Sequence, residues 1–82
     1  MNIKIKPNRY YREEFKFNIY YIQTDNKYLY DIGVYNKVEN VGRRYDKKIF
    51  CSIKEYNSII STRCITELSE ENIMLDMMVE FL

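Results

Sequence analysis

The side chains that most often do chemistry are sparse in this chain, and their spacing suits none of the common catalytic sets. There is no His, so the commonest general base is missing and neither a Ser nor a Cys nucleophile has its usual partner. Glu13 and Glu14 are adjacent, but neighbours on a strand point to opposite faces and make no acid–base pair. The only glycines are Gly33 and Gly42, which rules out a phosphate-cradling loop. Cys51 and Cys64 match no metal or redox spacing, and the carboxylates do not fall at cation-ligand spacing. Both cysteines are expected to be small core residues in a reducing compartment. The expectation is a protein that is not an enzyme and has no metal and no small-molecule cofactor.

Charge and aromatic residues are distributed more tellingly. Residues 1–48 hold eleven Lys or Arg against six Asp or Glu, whereas residues 49–82 hold two against six. Tyrosines interleave with the basic residues of the first half, which suggests one function. A sheet face of Tyr within a rim of Lys and Arg holds single-stranded nucleic acid, the rings stacking on bases and the cations tracking phosphates. Arg9, Tyr11, Arg12, Arg43, Arg44, Lys47 and Lys48 are the candidate contacts. Against this stand the ordinary preference of strands for Tyr and the use of Lys and Arg to protect sheet edges. No aromatic RNA-binding motif or GXXG loop is present. Nucleic-acid binding is therefore the alternative reading.

The first reading comes from the C-terminal segment, 69–82. Ser69 suits an N-cap, and Glu70 and Glu71 complement the positive end of a helix dipole. At 100° per residue, Asn72, Asp76 and Glu80 make one narrow polar stripe, and everything else from 73 to 82 is apolar. Packing on a sheet needs an apolar stripe only somewhat wider than about 100°. If Ile73, Met77 and Phe81 face the sheet, then Met74, Leu75, Met78, Val79 and Leu82 are left over. Either residues 1–14 fold back over them or another molecule covers them. The expected partner is a protein: a second copy in a homodimer, or a host or defence protein. The acidic helix and the basic sheet could attract each other within one chain or between two. A small non-catalytic module that occludes a partner's surface, of the kind phages encode as inhibitors and of which anti-CRISPR proteins are one example, fits these features.

Composition bounds the rest. Eighty-two residues, 46% hydrophobic and 16% aromatic with net charge +1, suit one efficient core rather than a disordered or bulk-basic chain. About half the residues are Ile, Lys, Asn, Tyr or Phe and none is Ala, a usage typical of A+T-rich bacterial, phage or mobile-element genes. No apolar h-region follows the first residues and no apolar run reaches the ~18 residues of a membrane span. A cytoplasmic location with no membrane partner is the expectation.

The elements that must position these groups are those of a single α+β domain over 1–82. It comprises a basic N-terminal segment (1–14), a sheet region (15–68) and a C-terminal helix (69–82). Alternation places Phe15, Phe17, Ile19 and Tyr21 on one face of a strand. Residues 24–27 form a turn cluster. A second strand alternates Tyr28, Tyr30, Ile32 and Val34 against Leu29, Asp31 and Gly33, until 39–42 breaks it. A third alternates Tyr45, Lys47, Ile49 and Cys51 against Asp46, Lys48, Phe50 and Ser52. Ser52 and Glu55 fit a capping box for a short helix at 53–60 that shows Ile53, Tyr56 and Ile60 on one face, with a brief strand at 62–66 after it. The whole predicts an antiparallel meander of three or four strands under a C-terminal helix.

Overall fold

Four successive strands run back and forth before either helix intervenes: β1 (Tyr10–Phe15), β2 (Asn18–Thr24), β3 (Tyr28–Asn36) and β4 (Val41–Ser52). Helix α1 (Ile53–Ile59), strand β5 (Cys64–Leu68) and helix α2 (Glu70–Glu80) complete the chain. The structure, a computed structural model, describes residues 4–59 and 64–81. Ile60, Leu82 and the start of the strand expected at 62–66 lie outside the described residues. The fold is α+β: a five-stranded antiparallel sheet of order β4-β3-β2-β1-β5 with two helices, one of them C-terminal.

The expected meander is present in β1–β4, and β5, which returns beside β1, makes five strands where three or four are expected. Alternation reads straight through residues 15–21, but the chain turns there. Lys16 takes a left-handed φ of 56°, and Lys16 and Phe17 form a tight turn between β1 and β2. Such a turn ordinarily carries Gly or Asn, so Lys-Phe hides it. Phe15 and Phe17 consequently do not share a face with Ile19 and Tyr21. Phe17 is exposed at the turn, whereas Ile19 and Tyr21 are buried.

The next turn is built as its side chains suggest. The Asp25 carboxylate accepts hydrogen bonds from the backbone N–H of Lys27 at 2.8 Å and of Tyr28 at 2.7 Å, and from the Tyr30 hydroxyl. The Tyr28 N–H, then the Tyr30 hydroxyl and the Lys27 N–H, pull its pKa down to about 2. An acid held below its unfolded value contributes stability above that value, near 4, and loses it as pH falls toward 2. In melts between neutral pH and pH ~2, wild type is expected to exceed Asp25→Asn in midpoint at neutral pH, with the gap closing below pH ~4. A gap that stays constant would refute the assignment.

Each face of the sheet carries one helix. Ser52 caps α1: its hydroxyl accepts from Glu55 N–H at 3.1 Å and donates to the Glu55 carboxylate at 3.0 Å. On that face Tyr56 packs with Ile5, Tyr11, Ile22 and Leu29. The segment before β1 is fastened there too. The Asn57 side-chain amide accepts from Ile5 N–H at 2.8 Å and donates to the Ile5 carbonyl at 3.0 Å. On the opposite face Ile73 and Met77 of α2 bury themselves against Ile19 and Tyr21. Ser69 caps α2, its hydroxyl accepting from Asn72 N–H at 3.1 Å.

Three register shifts decide which residues meet which helix. Against β2, Ile32 is extra between Asp31 and Gly33. Against β4, Phe50 is extra opposite the step from Leu29 to Tyr30, and Tyr45, Asp46 and Lys47 stand opposite Ile32 alone. The alternation expected for 28–34 therefore flips, and Val34 faces away from Tyr30 and Ile32. Phe50 and Cys51, expected on opposite faces, both reach the α1 side, as a bulge allows. Gly42, expected to end a strand, lies inside β4. Cys51 is half-buried as expected of a core residue, but Cys64 is exposed on the edge strand β5.

Candidate functional site

Two features stand out: the outer side of α2, and a hollow on the opposite face beside α1. On α2, the helix period turns Ile73 and Met77 to the sheet and Phe81 follows them. The Phe81 ring stands edge-on to Tyr21 with centroids 5.6 Å apart, and the Arg44 guanidinium lies 5.8 Å from its centroid. Asp76, in the polar stripe, pairs with Arg12 at 3.5 Å. The acidic helix thus docks on the basic sheet of its own chain, through a partly exposed pair worth only about 0–1 kcal/mol.

Met74, Leu75, Met78 and Val79 each leave more than half their surface exposed. Residues 4–9 do not cover them, since Ile5 is buried against α1 on the other side of the sheet. Leu82, the fifth residue of the expected surface, is outside the described residues. The structure therefore brings four of the five together as one strip along a helix that the other described residues leave exposed.

The candidate nucleic-acid contacts are dispersed. Tyr11 is fully buried, so no base can stack on its ring; its hydroxyl accepts from Lys6 N–H at 2.8 Å. Arg9 pairs with Glu67 at 3.5 Å near the β1–β5 edge. Arg12 is held by Glu14 at 2.6 Å and by Asp76. Burial raises the Glu14 pKa, but hydrogen bonds and charge from Arg12 and Lys37 outweigh it and bring the group below its ordinary value. Arg44 lies on the α2 side over Phe81, and Lys47 sits 4.5 Å from the Tyr30 ring centroid. Arg43 and Lys48 instead pair in register with Val34 and Asp31. These seven residues share no single face.

The hollow escaped the sequence reading. Glu13 of β1, Tyr20 and Ile22 of β2, Leu29 and Asp31 of β3, Phe50 of β4 and Tyr56 of α1 surround a cavity of about 210 Å³, with Phe15 at its side. Glu13 is only 2% exposed and its carboxylate accepts from the Tyr56 hydroxyl. Glu14 points to the other face, as strand geometry requires. Asp31 lies diagonally across β2 from Glu13, opposite Ile22 where Glu13 is opposite Tyr20, and its pKa is raised by burial and by Glu13, with Lys48 opposing. Phe50 and Tyr56 meet edge to face at 6.2 Å. Glu13 and Asp31 are 18 residues apart, so no local spacing could have joined them. A polar residue within an otherwise apolar strand face was the one available signal.

Among the described residues no group of three His, Cys, Asp or Glu side chains could hold a metal ion, and no helix is long and apolar enough to cross a membrane. Comparison with family models, curated proteins and solved structures yields no match.

Proposed function

We propose that this chain is a small, non-catalytic protein-binding module that lays the outer face of α2 on a partner protein and occludes the surface beneath it. The observation that carries this reading is the strip Met74, Leu75, Met78 and Val79, exposed on a helix whose inner side is already filled. A contiguous apolar strip with a charged rim is the usual mark of an interaction surface, and Met supplies contact area that adapts to its partner. The sequence of α2 carries Glu70, Glu71, Asp76 and Glu80 with no Lys or Arg. Two such helices laid together would set like charges side by side. The charge favours a different protein, with an apolar groove rimmed by Lys and Arg. In its finer form the module is an inhibitor of a host or defence protein, encoded by a phage or mobile element in the manner of anti-CRISPR proteins. Its small size and A+T-rich residue usage support that form.

Light scattering tests the choice of occupant: a monomer of 10.1 kDa is expected. A dimer that Met78→Glu splits would assign the face to a second copy instead. With a partner captured on wild-type protein and then purified, Met78→Glu is expected to weaken binding by about tenfold to hundredfold. Its circular dichroism should match that of wild type. Equal affinity of the two would remove α2 from the interface.

A further inference from the structure

We propose that the hollow beside α1 is a binding site for one organic cation, an ammonium or guanidinium group on a short apolar stem. It lies on the sheet face opposite α2, so it stands or falls independently of the docking role of that helix.

The geometry carries the proposal. Glu13 on β1 and Asp31 on β3 flank β2 on a diagonal, Glu13 opposite Tyr20 and Asp31 opposite Ile22. Two strand spacings across and two residues along set their backbones about 11–12 Å apart. Tyr20 and Ile22 lie between them. Two carboxylates facing one partly desolvated space repel each other, and a cation placed between them relieves both. Among the described residues Asp31 has no side-chain hydrogen bond or ion pair, and its cross-strand neighbour Lys48 makes none with it. Lys48 acts on it through charge alone, so its half-exposed oxygens are open to a ligand.

The walls suit the same guest. Phe15, Tyr20, Phe50 and Tyr56 border the cavity, and aromatic faces attract ammonium and guanidinium groups most strongly where water is excluded. The volume of about 210 Å³ is less than the roughly 300–1,000 Å³ of ordinary small-molecule sites. It exceeds the ~150 Å³ of an engineered cavity that accepts benzene. That is room for a butyl chain with its head group. A neutral apolar guest would offer nothing to the charge of Asp31.

The test is an NMR titration of the full chain at neutral pH with n-butylammonium, n-butylguanidinium and n-butanol. The amides of Glu13 and Asp31 and the rings of Phe50 and Tyr56 are the reporters. Both cations are expected to shift these signals saturably, with n-butanol at least ~tenfold weaker. Asp31→Asn, at a half-buried position that tolerates the amide, is expected to weaken the cations about tenfold and leave n-butanol unchanged. Glu13→Gln should do the same if it folds. Equal binding of n-butanol, an unaffected Asp31→Asn, or no shift at tens of millimolar would each overturn the site. N-acetyl-lysine methylamide separates two sources of the cation. Tighter binding than n-butylammonium assigns the site to a side chain of a partner protein, and weaker binding to a free amine.

Discussion

Ile73→Ala is expected to lower the stability of the isolated chain by about 2–5 kcal/mol, whereas Met74→Ala, one residue on, should change it by no more than ~0.5 kcal/mol. Ile73 is fully buried against Ile19 and Tyr21. Its truncation removes buried methyl groups and leaves a cavity that a small sheet-and-helix sandwich cannot close. Met74 points to solvent, and Ala is the better helix former. Total stability for a domain this small is of the order of 5–15 kcal/mol, so the first substitution takes a large share of it. Urea unfolding followed by circular dichroism reads the difference as a shift in midpoint at unchanged slope. Similar midpoints for the two variants would mean that α2 is rotated from the orientation described, and the exposed strip would go with it.

Gly42→Ala is expected to destabilise by about 1–3 kcal/mol, and the sign is the informative part. Within a strand, Ala for Gly ordinarily stabilises, because the unfolded chain loses freedom that the folded one never used. Here a Cβ on residue 42 would stand 2.5, 2.8 and 3.0 Å from three atoms of the Phe81 ring. Gly33 forms the neighbouring part of the same floor, with ring atoms and the Met77 methyl at 2.8–2.9 Å from a Cβ there. The ring would have to leave its contact with Tyr21, and Arg44 would have to follow it. In a Phe81→Ala background the clash is gone, and Gly42→Ala should become neutral or stabilising. A double-mutant cycle measures that coupling directly. Stabilisation by Gly42→Ala in both backgrounds would show that the ring does not rest on these glycines.

The two glycines also show why part of this fold was legible and part was not. Glycine near Glu39 and Asn40 reads as a turn, and the turn is indeed there, with Asn40 at a φ of 62° and the Asn36 side chain accepting from Val38 and Glu39 N–H. Gly42 itself serves a different purpose: it lets a ring from the far end of the chain approach the sheet. That demand comes from residue 81 and leaves no trace near residue 42. The Lys16-Phe17 turn was hidden for the opposite reason. Its left-handed residue is a lysine, so local chemistry announces nothing, and only the pairing of β1 with β2 shows it.

The candidate sites divide along the same line. The α2 strip was readable because a helix imposes its own period: once Ile73 and Met77 face inward, Met74, Leu75, Met78 and Val79 must face outward. The basic and tyrosine set was readable as composition but not as a surface. Tyr11 proved to be core, and bulges at Ile32 and Phe50 turn neighbouring residues to sides that alternation does not foresee. The hollow required the entire sheet order before Glu13 and Asp31 could meet.

By itself the sequence determined the α+β class, the caps at Ser52 and Ser69, the Asp25 turn and the amphipathic division of the C-terminal helix. These rest on hydrogen bonds and periodicities that act within a few residues. Only the tertiary structure decided that α1 and α2 cover opposite faces, that the N-terminal segment is fastened under α1, and that two distant carboxylates share one hollow. Those outcomes depend on strand register and bulges, where a shift of one residue moves a side chain from one face of the sheet to the other.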